Sequence, residues 1–193
     1  MQFSDKEVFV KAATQNIVGD MGVPELTVTD TLAPELANDK QFALQVVTAY
    51  GGDYCYRYFS EDVRNDKDVA LAFMDALGGM NLQFAPEEIR DDKDVVMVAV
   101  KRDVHALQFA SSRLKNDREI VEIAIRDCPQ SFRFASPELR GDAGIVALAI
   151  SIINEHYQSP IEGVEKHILP FVTSEKIERR LKNAKVWSGY VYW

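Results

Sequence analysis

An Asp recurs at positions 39, 66, 92, 117 and 142, at intervals of 27, 26, 25 and 25 residues. Each time it sits in the same short string: Leu36-Ala37-Asn38-Asp39-Lys40, Val63-Arg64-Asn65-Asp66-Lys67, Ile89-Arg90-Asp91-Asp92-Lys93, Leu114-Lys115-Asn116-Asp117-Arg118 and Leu139-Arg140-Gly141-Asp142-Ala143. So regular a period restricts the chain to stacked supersecondary units, each burying its apolar face on its neighbour. A partial copy, Ser4-Asp5-Lys6-Glu7, opens the chain. Its Asp lies 34 residues before Asp39, which places an insertion in the first unit at the Gly19–Pro24 stretch.

The string reads as a helix start. Ser4, Asn38, Asn65, Asp91 and Asn116 are side chains that cap a helix N-terminus, and three residues later stand Glu7, Gln41, Asp68, Asp94 and Glu119, the spacing of a capping box. On this reading the recurrent Asp takes the first helical position, where the dipole favours a negative charge. The last unit has Gly141 and Gly144 in the two capping places, so its helix is expected to start less firmly. Beyond each Asp, apolar residues recur at the third, fourth, seventh and eighth places, as in Val95, Val96, Ala99 and Val100 or Ile120, Val121, Ala124 and Ile125. That spacing is one buried helical stripe per unit. A second, shorter helix follows at Asn81–Ala85, Ala106–Ala110 and Ser131–Ala135, then a capped turn such as Ser136-Pro137-Glu138-Leu139.

The expected fold is therefore all-α: an α-solenoid of about six short helix-pair repeats, with residues 4–157 as repeats of a single domain spanning 1–193. Past His156 the repeat stops, and residues 158–193 are expected to supply capping helices and an aromatic tail. Ser174 is placed to cap a last helix with Ile177, Leu181 and Ala184 on one face.

The string Asn116-Asp117-Arg118-Glu119-Ile120-Val121, preceded by Ala106-Leu107-Gln108-Phe109-Ala110-Ser111, resembles the tandem helical repeats of domain-of-unknown-function family 4116. The likeness runs from roughly residue 38 to 150. It implies a helical repeat fold and carries no catalytic residues to transfer.

Composition narrows the function classes. The longest apolar runs, such as Val95–Val100, fall far short of the roughly 20 residues a membrane span needs. The opening Met1-Gln2-Phe3-Ser4-Asp5-Lys6-Glu7 lacks the basic-then-apolar order of a signal peptide. Two isolated cysteines, Cys55 and Cys128, suit a reducing cytoplasm and exclude a disulfide framework or a zinc site. The net charge is −8; residues 173–193 hold five cations against two anions, leaving −11 for the rest. Such a body repels phosphate backbones and draws a basic protein partner.

No pattern here announces a nucleophile, a phosphate loop, a cofactor or a metal site; His105, His156 and His167 have no ligand spacing. The candidate surface residues are protein-binding ones. Arg57, Gln83, Gln108 and Arg133 form a polar row that no cap demands, read either as an ordinary solvated face or as a ligand-contacting row. Tyr54 and Phe59 stand where other units hold smaller or unrelated residues; they either pack beneath the insertion or form an exposed recognition patch. Trp187, Tyr190 and Trp193 either cover the last repeat or dock a partner. The recurrent Arg64, Arg90, Lys115 and Arg140 are read as scaffold. The functional expectation is a non-enzymatic cytoplasmic adaptor or scaffold, a monomer or weak homodimer. The alternatives are an acidic immunity-type inhibitor of a basic toxin or enzyme, and an enzyme with an unfamiliar site.

Overall fold

The computed structural model of the chain describes residues 2–3, 31–50, 55–156 and 160–183. The fold is all-helical apart from one two-residue parallel bridge, in which Gln2-Phe3 pairs with Thr31-Leu32. The chain divides into two compact units, residues 1–109 and 110–193. A stack in which each repeat touches only its neighbours has no single core to hold it as one block.

Each repeat has three helical pieces rather than two. In the first unit a one-turn helix precedes a long one three times: α1 (Pro34–Ala37) with α2 (Lys40–Tyr50), α3 (Glu61–Arg64) with α4 (Lys67–Leu77), and α5 (Glu87–Arg90) with α6 (Lys93–Arg102). The segments expected as second helices are 3-10 turns: η1 (Cys55–Tyr58), η2 (Gly79–Phe84) and η3 (Val104–Phe109). Helix α2 packs on α4, α4 on α6, and η2 on η3. The second unit repeats the plan with α7 (Ser112–Lys115), α8 (Arg118–Asp127), η4 (Pro129–Phe134), α9 (Pro137–Arg140) and α10 (Ala143–His156).

The apolar stripe is buried as its spacing predicts. Val69, Ala70, Phe73 and Met74 are sealed in one repeat, Val95, Val96, Ala99 and Val100 in the next. In the second unit Ile120, Val121, Ala124, Ile125, Ile145 and Val146 do the same.

The capping assignment shifts by one residue. Each one-turn helix ends on the Asn or Asp chosen as the cap: the Asn65 N–H donates back to Glu61 O and Val63 O. The recurrent Asp is itself the N-cap of the long helix. Asp66 Oδ1 accepts from the N–H groups of Asp68 and Val69, at 3.1 and 3.2 Å. Asp92 accepts from Asp94 and Val95, Asp117 from Glu119 and Ile120. The acids read as closing a capping box thus lie at the second helical position, without that role. In the last of these units Asp142 takes the same place, its Oδ1 accepting from the Ile145 N–H at 2.9 Å. The one-turn helices carry caps of their own, Ser60 to Val63, Ser111 to Leu114 and Ser136 to Leu139.

The 26-residue interval has a local cause. Helix α4 runs for 11 residues, α6 and α8 for 10. The added residue forces a different exit, and Gly78 supplies it with φ +94°, against −153° at Asp103 and −144° at Cys128. Gly79 then lies against α6, where a Cβ would stand 2.0 Å from Ala99 O.

Past His156 the Asp column is absent. Helix α11 (Pro160–His167) leads into η5 (Leu169–Phe171) and α12 (Glu175–Asn183), an order in which no one-turn helix separates η5 from the helix after it. The Thr173 N–H reaches Arg140 O at 3.4 Å, as Ser136 N–H reaches Lys115 O and Ser60 N–H reaches Ala37 O in earlier repeats. Ile177 and Leu181 of α12 are buried, as the sequence places them; Ala184 lies outside the described residues.

Candidate functional site

Three rows of side chains run across the repeats. The first joins the starts of the long helices. Lys40 donates to Asp66 at 2.8 Å and Asp68 at 3.1 Å. One repeat on, Lys67 meets Asp92 at 2.9 Å and Asp94 at 2.6 Å. In the second unit Arg118 meets Asp142 at 2.6 Å and Glu122 at 3.2 Å. Burial alone would raise the Asp66 carboxyl; the Lys40 ammonium and the N–H groups of Val69 and Asp68 outweigh it and hold it below the usual carboxylate range. Asp92 behaves likewise with Lys67. At Asp142 the Ile145 N–H contributes most, ahead of Arg118. Each cap is thereby fixed as an anion facing a cation, and this row is scaffold.

Among the recurrent arginines, Arg64 has a structural role of another kind. Arg64 donates Nε to Phe59 O at 3.1 Å and Nη1 to Phe84 O, capping the carbonyl ends of two successive 3-10 turns.

The second row lies on the 3-10 turns of the first unit. Arg57 is exposed, and Gln83 and Gln108 are half-buried on the following turns. The Arg57 guanidinium lies 4.8 Å from the Tyr58 ring centre and 5.8 Å from that of Phe84, and donates to Tyr58 Oη at 2.7 Å. Arg133 occupies the same place in the second unit, exposed and 4.6 Å from the Phe134 ring. The sequence found this row, but not the half-buried aromatic that accompanies each member.

Phe59 does not belong to a surface. It is 2 % exposed and meets Phe42 and Phe73 at ring-centre distances of 6.1 and 5.8 Å. Tyr56 lies beneath the same rings, 5.0 Å from Phe73, with its hydroxyl on Arg64 O. The extra bulk at Phe59 fills the core between α2 and α4, so it is corrected from a recognition residue to a packing one. Tyr54, Trp187, Tyr190 and Trp193 lie outside the described residues.

The third row went unread in the sequence. The one-turn helices of the first unit expose Glu35 on α1, Glu61 and Asp62 on α3, and Glu87 and Glu88 on α5. Among the described residues none of these five carboxylates enters an ion pair. The cation that ends α3 is turned away, because Arg64 is engaged with backbone carbonyls. In the second unit the corresponding places hold Ser112, Arg113, Pro137 and Glu138, so the acidic edge belongs to the first unit. Its signal in the sequence was the pair of acids two and three residues after each aromatic-Ala/Phe step, masked by the louder Asp column.

Among the described residues no group of His, Cys, Asp and Glu is placed to hold a metal ion, and no helix is long and apolar enough to cross a membrane. His105 Nδ1 lies 3.0 Å from Asp103, a contact within its own turn. Burial holds His167 below the usual imidazole range, aided by Lys166 and Arg133.

Residues 77–112 and 99–140 match the family model described as Domain of unknown function (DUF4116). The resemblance read from the sequence therefore holds across residues 77–140, which the two matches span together. No curated protein and no solved structure matches the chain significantly.

Proposed function

We propose that this chain is a protein-binding repeat module, a cytoplasmic adaptor or scaffold without catalytic activity, and that its partner is basic. One observation carries the reading: Glu35, Glu61, Asp62, Glu87 and Glu88 are exposed along one edge and answered by no cation among the described residues. The same unit pairs its other acids, Asp66 and Asp92, across every repeat junction. The edge carboxylates favour the starts of their one-turn helices, and, answered by no cation among the described residues and repeated on successive helices, they provide a focused negative field that speeds the encounter with a basic surface. The same field disfavours nucleic acid. The free thiol of Cys128 is compatible with a reducing compartment. The fold by itself names no function.

An immunity-type inhibitor of a basic toxin or enzyme rests on the same edge. The two readings part on what the partner does once bound.

The test is affinity capture from the source lysate with the full chain and, beside it, a Glu61→Lys/Glu87→Lys/Glu88→Lys variant. A basic protein held by the parent chain and lost with the variant supports the proposal. Inhibition of that protein's activity by the chain would select the inhibitor reading. Equal capture by both chains would overturn the assignment of the edge.

A further inference from the structure

Helix α12 carries a charged face that nothing answers among the described residues. Ile177 and Leu181 bury one side of the helix, and Lys176, Arg179 and Arg180 are exposed around the rest. None of these three enters an ion pair among the described residues, whereas Lys182 is held by Glu178 of its own helix. Helix stability accounts for only part of this charge. Arg180 lies in the last turn, where the dipole favours a cation. Lys176 lies in the first turn, where the dipole disfavours one.

The same chain holds the opposite charge, equally unanswered. Glu61 and Asp62 open α3 and Glu87 and Glu88 open α5, all four exposed and in no ion pair among the described residues. We propose that the basic face of α12 docks on the acidic edge of a second copy of this chain, so that the protein associates with itself through two different surfaces. The contact rests on the acidic edge of the proposed function, and it names one basic partner that this edge takes.

Charge complementarity selects a second copy in three respects. The guanidinium groups of Arg179 and Arg180 are planar forks that match carboxylates two bonds at a time, and the edge offers its acids in adjacent pairs. Each copy carries a net charge of −8, which opposes approach. At 0.15 M ionic strength, however, exposed charges more than about 8 Å apart are largely screened, so the local match of opposite patches decides the encounter. Duplex nucleic acid is a poorer occupant of the basic face. It carries a negative charge about every 1.7 Å along its length, so the acidic remainder of the chain meets repulsion wherever α12 lands.

Because the two surfaces differ, one copy's α12 can meet its partner's edge while its own edge takes another α12. Association therefore either closes reciprocally between two copies or grows beyond them.

The experiment is sedimentation velocity of the full chain over a concentration series from micromolar to millimolar. At 0.15 M salt the weight-average mass should rise with concentration to at least twice that of one chain. At 1 M salt, where the screening length falls to about 3 Å, it should return to one chain. The edge variant Glu61→Lys/Glu87→Lys/Glu88→Lys and the helix variant Lys176→Glu/Arg179→Glu/Arg180→Glu should each weaken self-association at least tenfold. Mixing the two should restore it, because each reversed surface then meets its complement. A neutral Lys176→Gln/Arg179→Gln/Arg180→Gln variant keeps the helix without reversing its charge, and should lose association with an unchanged melting temperature.

A parent chain that stays monomeric throughout, or association that persists at 1 M salt or in the neutral variant, would overturn the inference. So would failure of the mixed variants to associate while both melt as the parent does. The helix variants leave the acidic edge intact. A foreign basic protein captured equally by the parent and the neutral variant would therefore leave the proposed function standing where self-association had failed.

Discussion

Replacing Asp66 with Ala should cost this fold far more than replacing its neighbour Asn65, although the two look interchangeable as helix caps in the sequence. Asp66 Oδ1 accepts two backbone N–H groups at the start of α4, and its other oxygen meets Lys40 at 2.8 Å. Loss of an N-cap side chain costs about 1 kcal/mol. The Lys40 pair is 42 % and 31 % exposed on its two sides, so it adds at most about 1 kcal/mol. Together Asp66→Ala should destabilise by about 1.5–2 kcal/mol. Asn65→Ala removes an exposed side chain at the end of α3 and should stay within about 0.5 kcal/mol. Asp66→Asn keeps an accepting oxygen while losing the charge, and should fall between them at about 0.5–1 kcal/mol. The assay is urea unfolding followed by far-UV circular dichroism, with the midpoints compared at constant slope. If Asn65→Ala proves the costlier change, the cap has been assigned to the wrong residue. If Asp66→Asn costs as much as Asp66→Ala, the charge rather than the cap holds the junction.

Other perturbations follow from the same geometry. Gly79→Ala forces a Cβ to within 2.0 Å of Ala99 O, backbone that has no rotamer to change; a loss of about 3 kcal/mol is expected on thermal unfolding. Phe59→Ala opens a cavity among Phe42, Tyr56 and Phe73 and should cost about 3–4 kcal/mol, while partner capture per folded molecule stays unchanged. Asp66, Asp92 and Asp142 all have carboxyls held below their ordinary range in the folded state. Their stabilisation is fully present above the unfolded value of about 3.9 and is lost as pH falls through the folded values. Unfolding midpoints should therefore be flat from neutral pH to about 5 and drop below about 4, and a parent chain no less stable at pH 3 than at pH 6 would contradict the ladder.

The repeat made most of the fold legible, because the same apolar stripe recurs after every Asp and burial needs only that spacing. Two local features escaped. Asn and Asp are equally good caps by residue type, so the sequence could not tell whether Asn65 or Asp66 begins α4; the one-turn helix α3, which ends on Asn65, decides it. The closure of Thr173 on Arg140 escaped as well, because no Asp column marks it. At the candidate surface, Gln83 and Gln108 make no hydrogen bond among the described residues, whereas Arg57 is engaged with Tyr58 and Phe84. Phe59 misled because an unusual aromatic in a small-residue column fits a surface patch or a filled core equally well. The acidic edge was overlooked for a physical reason too: exposed and paired carboxylates are identical in sequence, and only the positions of Lys40, Lys67 and Arg64 show which acids are left unanswered.

The most direct measurement is amide hydrogen exchange of the full chain, free and bound to the basic protein it captures. One-turn helices exchange quickly when free, so a partner on the acidic edge should slow exchange at Glu61–Arg64 and Glu87–Arg90 while α4 and α6 keep their rates. Protection confined to the long helices, with those two segments unchanged, would contradict the account.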